Sequence, residues 1–372
     1  GKLIEHHDAL RMRYEKRPEG WRQIATSDPT PSAFVRIDLS DVPARQHADA
    51  IEQKATSLQA GLSLEQGKLL QAAYFDLGPG VSGRLLIAVH HLVVDGVSWR
   101  ILLEDLEQGY GQLQQNQAVR LPSKTTSFKQ WSEHLVAYAN SDAVVRDLEF
   151  WTQATAARHG AIPVDYPGAG GNTKSSARSY AVQLDASDTQ ALLQKVPSAY
   201  NTQINDVLLT ALARTLAQWT KRDVVAIDME GHGREDIGTD LDTSRTVGWF
   251  TSLFPVALRI EGADPGPALC AIKEQLRRIP KRGIGYGLLR YLHRDDAVRQ
   301  RLLGSPRPDV LFNYLGQFDQ MLSQSQLFRP APESSGRSED MSGMRSHLLA
   351  INALVVDGRL RVEWTFSEAI HK

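Results

Sequence analysis

Runs of apolar residues of two lengths alternate along this chain, and their spacing separates strands from helices. Leu85 to Val89 (LLIAV) is continuous and of strand length, the pattern of a strand buried on both faces. It ends in His90-His91, then Asp95-Gly96, a turn signal, and Ser98, placed to cap an amphipathic run from Trp99 to Leu106. The spacing therefore predicts a strand, a polar loop and a helix. Upstream, residues 2–14 carry apolar positions at helical spacing and end at Arg17-Pro-Glu-Gly20. Strands are expected at 21–24, 34–39 and 69–77, and a helix over 44–61 closed by Gly61. Residues 128–154 read as one or two helices. The Pro-, Gly- and Ser-rich stretch 161–178 reads as a linker.

The second half repeats the alternation. A strand-like run covers 180–184, with helices over 186–196 and 204–219. A short buried strand, 224–229, runs into the polar loop Glu230-Gly-His-Gly-Arg-Glu235. Residues 246–258 are apolar and β-rich, with Pro255 indicating an edge or a bulge. A helix over 266–278 precedes Pro280-Lys-Arg-Gly-Ile-Gly-Tyr-Gly287. A strand over 310–314 runs into Leu315-Gly-Gln-Phe318, the polar segment 320–345 reads as a poorly ordered loop, and strands 347–355 and 359–366 close as a hairpin. The expectation is α/β, in two halves, each presenting a polar loop after a buried strand.

Composition narrows the class. With 372 residues the chain is long enough for two domains, and a formal net charge of -1 with interspersed signs argues against nucleic acid or a membrane surface. No apolar run reaches membrane-spanning length and no signal peptide opens the chain. A single cysteine, Cys270, excludes an internal disulfide framework and a Cys-rich zinc site, and fits a cytoplasmic setting. Adjacent histidines on an extended backbone diverge, so His90, His91 and Asp95 do not make a metal-hydrolase ligand set, and no metal is expected. The glycines at 283–287 lack the Lys-Ser/Thr of a nucleotide phosphate loop.

His90-His91-Leu-Val-Val-Asp95-Gly96 resembles the HHxxxDG signature of the condensation-domain superfamily of nonribosomal peptide synthetases. The variant HHLVVDGVSWRILLEDL resembles its epimerization-domain branch. Glu230–Glu235 (EGHGRE), Arg245–Thr251 (RTVGWFT), Pro280–Gly287 with GIGYG, and Phe312–Asp319 (FNYLGQFD) match that branch in order. His7-Asp-Ala-Leu-Arg11 resembles its earlier helix motif. The family's first motif and its final helix have no counterpart here, so the resemblance is to a domain that extends past both ends of this chain.

The resemblance implies two chloramphenicol-acetyltransferase-like lobes forming a V-shaped pseudo-dimer with a tunnel between them. The lobes fall at 1–165, carrying HHLVVDG, and 166–372, carrying the other four motifs. It implies epimerization, L to D, of the α-carbon of an aminoacyl or peptidyl thioester, an isomerase reaction of antibiotic and other secondary-metabolite biosynthesis. The substrate rides on the phosphopantetheine arm of an upstream carrier domain, with a condensation domain downstream, so the chain binds no dissociable cofactor of its own. Catalysis would fall to His91 and Glu230 on opposite faces of the α-carbon. Histidine exchanges protons near neutrality, whereas a glutamate must be buried to hold one there.

Supporting roles are expected for His90, Asp95, Arg11, His232, Arg234, Tyr286, Asn313 and Tyr314. Plainer roles are open to several of them. His90 would be a hydrogen-bonded structural histidine and Asp95 a turn residue, with Arg11 the ion-pair partner the resemblance suggests. Tyr286 and Tyr314 would be core, and Trp99 and Trp249 packing. The alternatives are peptide-bond-forming condensation on the same scaffold, and a catalytically silent carrier-docking domain.

Overall fold

The computed structural model describes residues 1–26, 33–156, 161–168, 171–238, 241–262, 264–317, 325 and 327–372. The chain is α/β and folds as two compact units. One comprises Gly1–Trp131, Asp240–Phe250 and Ser325–Asp340, the other Ser132–Thr239, Thr251–Gln324 and Met341–Lys372. The boundary read at 165/166 thus differs from the packing. Residues 132–165 join the second unit through Trp151, Val144 and Leu148, which lie in its core. RTVGWF, read with the second lobe, joins the first, where Val247 is buried.

In the first unit, β1 (Met12–Arg17) and β2 (Gly20–Ala25) form an antiparallel hairpin. The helical spacing of residues 2–14 is realised only as a short helix, Lys2–His6, and a 3-10 turn, Asp8–Arg11. From Met12 the chain alternates buried and exposed, because pairing with β2 makes the period two. Arg17–Gly20 is therefore a hairpin turn. A second sheet has the order β3 (Phe34–Asp38), β4 (Leu70–Asp76), β5 (Arg84–Val89). β3 and β4 run parallel, joined through the helix His47–Ala60. β5 lies at an edge with only Ala88 buried, not buried on both faces as its composition suggested. The helix Gly96–Gln114 follows, burying Ile101 and Leu102 against Leu10, Met12, Leu69 and Val93. Of the polar segment 320–345, residues 320–324 and 326 lie outside the described residues. Glu333 to Arg337 is fastened to the first unit, with Arg84 making a two-pronged ion pair to Glu333 (2.7 and 2.8 Å) and Arg337 N donating to Thr56 Oγ1.

The second unit is built on six strands: β6 (Ala177–Gln183), β7 (Val224–Gly231), β8 (Ser252–Arg259), β9 (Val310–Gln317), β10 (Leu349–Val356) and β11 (Arg359–Ser367), in the order β6-β11-β10-β9-β7-β8. β9 runs parallel to both β7 and β10. Pro255 sits in β8, an edge strand, where its missing N–H breaks no ladder. One face of the sheet (Val225, Ile227, Met229, Phe254, Val256, Phe312, Ile351) packs with Leu209, Leu212 and Leu216 of the helix Ile204–Thr220 and with Ile272. Period two puts Asp228, Glu230, Asn313 and Asn352 on the opposite face. Of the expected linker, residues 169 and 170 lie outside the described residues, and the part after them is held in place: the Asn172 amide donates to the carbonyls of Arg345 and His347, and Thr173 bridges to Met344.

Candidate active site

His90 and His91 part company at the end of β5. His90 Nδ1 accepts from Leu92 N at 3.2 Å and caps the 3-10 turn His91–Val93. Burial, then the neighbouring His91, pulls the His90 pKa down, which keeps that acceptor lone pair available. His91 is exposed, and its ring meets Trp249 edge-on with centroids 5.1 Å apart. Among the described residues no hydrogen bond occupies its ring nitrogens. Trp249 itself is 40% exposed, so it borders His91 rather than filling the core.

Asp95, 5% exposed, is the N-cap of the helix Gly96–Gln114. Its Oδ1 accepts from Ser98 N at 2.7 Å and its Oδ2 from Phe250 N at 3.1 Å. Ser98 is thus not the cap; its hydroxyl exchanges hydrogen bonds with Gly248 O (2.9 Å) and N (3.1 Å). A third tie joins Arg245 to Asp105, whose other oxygen meets His7 Nε2 at 2.8 Å. These three ties hold RTVGWF in the first unit. Any side chain at Gly248 would strike Phe128, 2.5 Å from where its Cβ would lie. His6, His7 and Asp105 are the one triplet of potential metal ligands among the described residues, and both Asp105 oxygens are already engaged.

The expected Arg11–Asp95 pair does not form. Arg11 donates to Ile4 O (3.0 Å), Thr26 O (2.7 Å) and Asp8 Oδ1 (2.6 Å). It braces the start of the hairpin, because Met12 opens a strand instead of continuing a helix and leaves those carbonyls nearby.

In the second unit Glu230 lies at the end of β7, half-buried, and Asn313 Nδ2 donates to its Oε2 at 2.6 Å. The loop after it is self-supporting. His232 Nδ1 accepts from Arg234 N (3.0 Å), and its Nε2 lies 3.1 Å from Glu235 Oε1. Burial raises the Glu235 carboxyl, opposed by His232 and Arg282. Arg234 is partly buried. Glu235 has only a position in EGHGRE to mark it in the sequence; its contact to Arg282 (3.8 Å) ties this loop to the one before GIGYG. There Lys281, Arg282 and Gly283 all have positive φ (43°, 50° and 92°), a conformation costly for the first two.

Two expected site residues leave the site. Tyr286 is 8% exposed; its ring lies 5.5 Å from that of Trp151 and its hydroxyl accepts from Arg290 Nη1 at 2.6 Å. Tyr314 packs against the core cluster, on the opposite face of β9 from Asn313, and burial raises its pKa. Phe318 and Asp319 of FNYLGQFD lie outside the described residues.

All 372 residues match the condensation domain family. A linear gramicidin synthase of Brevibacillus parabrevis is 45% identical over 373 residues, spanning 100% of this chain and 7% of that protein. Chondramide synthase cmdD of Chondromyces crocatus is 45% identical over 375 residues, 100% of this chain and 9% of its own length. The chain therefore spans less than about a tenth of these curated relatives. Among solved structures, the epimerization domain from the third module of tyrocidine synthetase B superposes with a TM-score of 0.91 at 37% identity, covering 100% of this chain and 82% of that one. The first condensation domain of the calcium-dependent antibiotic synthetase shares the fold, with a TM-score of 0.71 at 20% identity over 100% of this chain and 82% of its own. No helix among the described residues is long and apolar enough to cross a membrane.

Proposed function

We propose, for a chain that belongs to the condensation domain family, that it is an epimerization domain of a nonribosomal peptide synthetase. It would invert the α-carbon of an aminoacyl or peptidyl thioester presented on the phosphopantetheine arm of a carrier domain in the same assembly. The observation that carries this reading is the whole-chain likeness to a solved epimerization domain, at 37% identity and a TM-score of 0.91.

The chemistry asks for two proton-exchanging groups. An α-proton beside a thioester is a weak acid; its removal needs a positioned base and stabilisation of the developing enolate. One group takes the proton from one face of the α-carbon, the carbon becomes planar, and the other group returns a proton to the opposite face. Bonds and charges balance with no further reagent. In this reading His91 and Glu230 are that pair. An exposed imidazole without a hydrogen bond among the described residues suits proton exchange with a substrate, and the Asn313 amide fixes the orientation of Glu230. Asp95, engaged by two backbone N–H groups, holds the histidine loop and has a structural role.

The test is α-proton exchange. A carrier domain loaded with an L-aminoacyl pantetheine thioester is mixed with this protein in deuterated water, and label and chirality are followed at the α-carbon. Deuterated D-product, lost in His91→Ala and at least about tenfold slower in Glu230→Gln, is expected. Amide formation with an acceptor carrier and no α-label would assign condensation, and neither reaction would assign a docking role. Inversion at the wild-type rate in Glu230→Gln would remove the glutamate from the mechanism.

A further inference from the structure

The face of the six-stranded sheet opposite the core cluster carries a row of side chains, three of which, Leu253, Asn352 and Glu363, belong to no motif. Asn313 on β9 is level with Asn352 on β10, and Asn352 is level with Glu363 on β11. Asn313 donates to Glu230 on β7, and Glu230 is level with Leu253 on β8, which is 39% exposed. Residues directly opposite on paired strands share a face, so Leu253, Glu230, Asn313, Asn352 and Glu363 form one line across five strands. Most of the polar groups in the line are occupied. Asn313 is engaged with Glu230, and Glu363 is ion-paired to Arg361 at 3.1 Å. Asn352 is half-buried, and among the described residues its amide has no hydrogen-bond partner.

We infer that Asn352 is a specificity-determining residue that binds a backbone amide of a peptidyl substrate, upstream of the residue being inverted. The inference rests on the reading of Glu230 as a group at the substrate α-carbon. A carboxamide offers both a donor and an acceptor, the complement of one peptide unit. The distance then sets which peptide unit. Paired strands lie about 4.8 Å apart, so Asn352 stands about 10 Å along the row from Glu230, and an extended peptide advances about 3.3 Å per residue. The matching amide lies about three residues upstream of the inverted α-carbon. An aminoacyl substrate carries its own amine one bond from that carbon and does not extend the roughly 10 Å to Asn352. Glu363, one strand further, faces the next residue or a terminal ammonium.

Binding and chemistry are measured separately. Carrier domains are loaded through a non-hydrolysable amide-linked pantetheine with either a single amino acid or a tetrapeptide, and their Kd values for this protein are measured by fluorescence anisotropy. The wild-type protein is expected to prefer the tetrapeptidyl carrier by about three- to tenfold, the worth of one hydrogen bond formed against water. Asn352→Val, which introduces a strand-forming side chain of similar size without a polar group, should bring that ratio to about one. Asn352→Thr, which puts a hydroxyl able to donate and accept in place of the carboxamide, should keep part of it. Equal wild-type binding of the two carriers, or a preference that survives Asn352→Val, overturns the inference. Deuterium exchange on thioester-linked carriers, run in parallel, reports on epimerization itself. A tetrapeptide preference lost in Asn352→Val but without exchange would leave the binding role standing and refute the assigned reaction.

Discussion

Replacing Asp95 with alanine separates a structural from a chemical role for the acid of the HHxxxDG signature. The side chain is 5% exposed and accepts two backbone N–H bonds: Ser98 at the first turn of its own helix, and Phe250 in a segment 155 residues away. Losing an N-cap costs about 1 kcal/mol. Losing a hydrogen bond to a charged acceptor costs about 1.5–3 kcal/mol. Asp95→Ala should therefore destabilise the first unit by about 3 kcal/mol, roughly a hundredfold in its unfolding equilibrium. Asp95→Asn keeps the Oδ1 acceptor for Ser98 but presents an NH2 group to the Phe250 N–H, so it should lose about half as much. The assay is denaturant unfolding combined with hydrogen exchange at the Ser98 and Phe250 amides. In the alanine variant both amides should exchange faster, and in the asparagine variant chiefly Phe250. If Asp95→Ala lowers stability by less than about 0.5 kcal/mol, within the range of ordinary surface substitutions, and still abolishes inversion, then Asp95 acts on the substrate and the structural reading is wrong.

Other perturbations test the second unit. Asn313→Ala removes the amide that holds Glu230 Oε2 at 2.6 Å; with about 1.5–3 kcal/mol in such a bond, the proposed inversion should slow about ten- to a hundredfold, measured as the rate of α-deuterium uptake. Gly283→Ala drives a Cβ into the ring of Phe254 at a φ of +92°; overpacking and backbone strain together predict a loss of about 2–4 kcal/mol, measured by denaturant titration. For Asp309, burial raises the carboxyl pKa in the folded protein, outweighing the hydrogen bond from Ile162 N. A folded pKa above the unfolded value means the folded state holds the proton more tightly. The favourable contribution is full below the unfolded pKa and disappears as pH rises through the folded one. Stability should therefore rise on acidification from the folded pKa down toward the lower unfolded one, and rise less in Asp309→Asn, as unfolding titrations at stepped pH would show.

Much of this protein is legible one stretch at a time. The period of 3.6 over 204–219 and the turn at Val356–Gly358 between two β-rich runs appear in the structure as a helix, Ile204–Thr220, and a hairpin, β10–β11. Their apolar faces and turn residues lie within a single window of sequence. EGHGRE after a buried strand likewise foretold where Glu230 stands. His90 is extended, as the sequence suggests, but His91 already opens a 3-10 turn, so the pair parts through that turn and not through the pleat of a strand.

Tertiary structure alone decided what depends on a distant partner. The helical spacing of residues 2–14 gave way at Met12 because β2 offers a ladder of hydrogen bonds that a short isolated helix cannot match. Arg11 followed that change and turned to Asp8 and two carbonyls instead of Asp95. RTVGWF lies amid second-unit sequence, yet it is pinned in the first unit by Asp95, Ser98 and Asp105, pairings separated by 140–155 residues. Tyr286 and Tyr314, chemically suited to a site, were taken by the core because helix packing and the pleat of β9 aim them there. Asn352 has no motif around it. Only the register of β9, β10 and β11 brings it into line with Glu230, and register is a property of paired strands that no single strand contains.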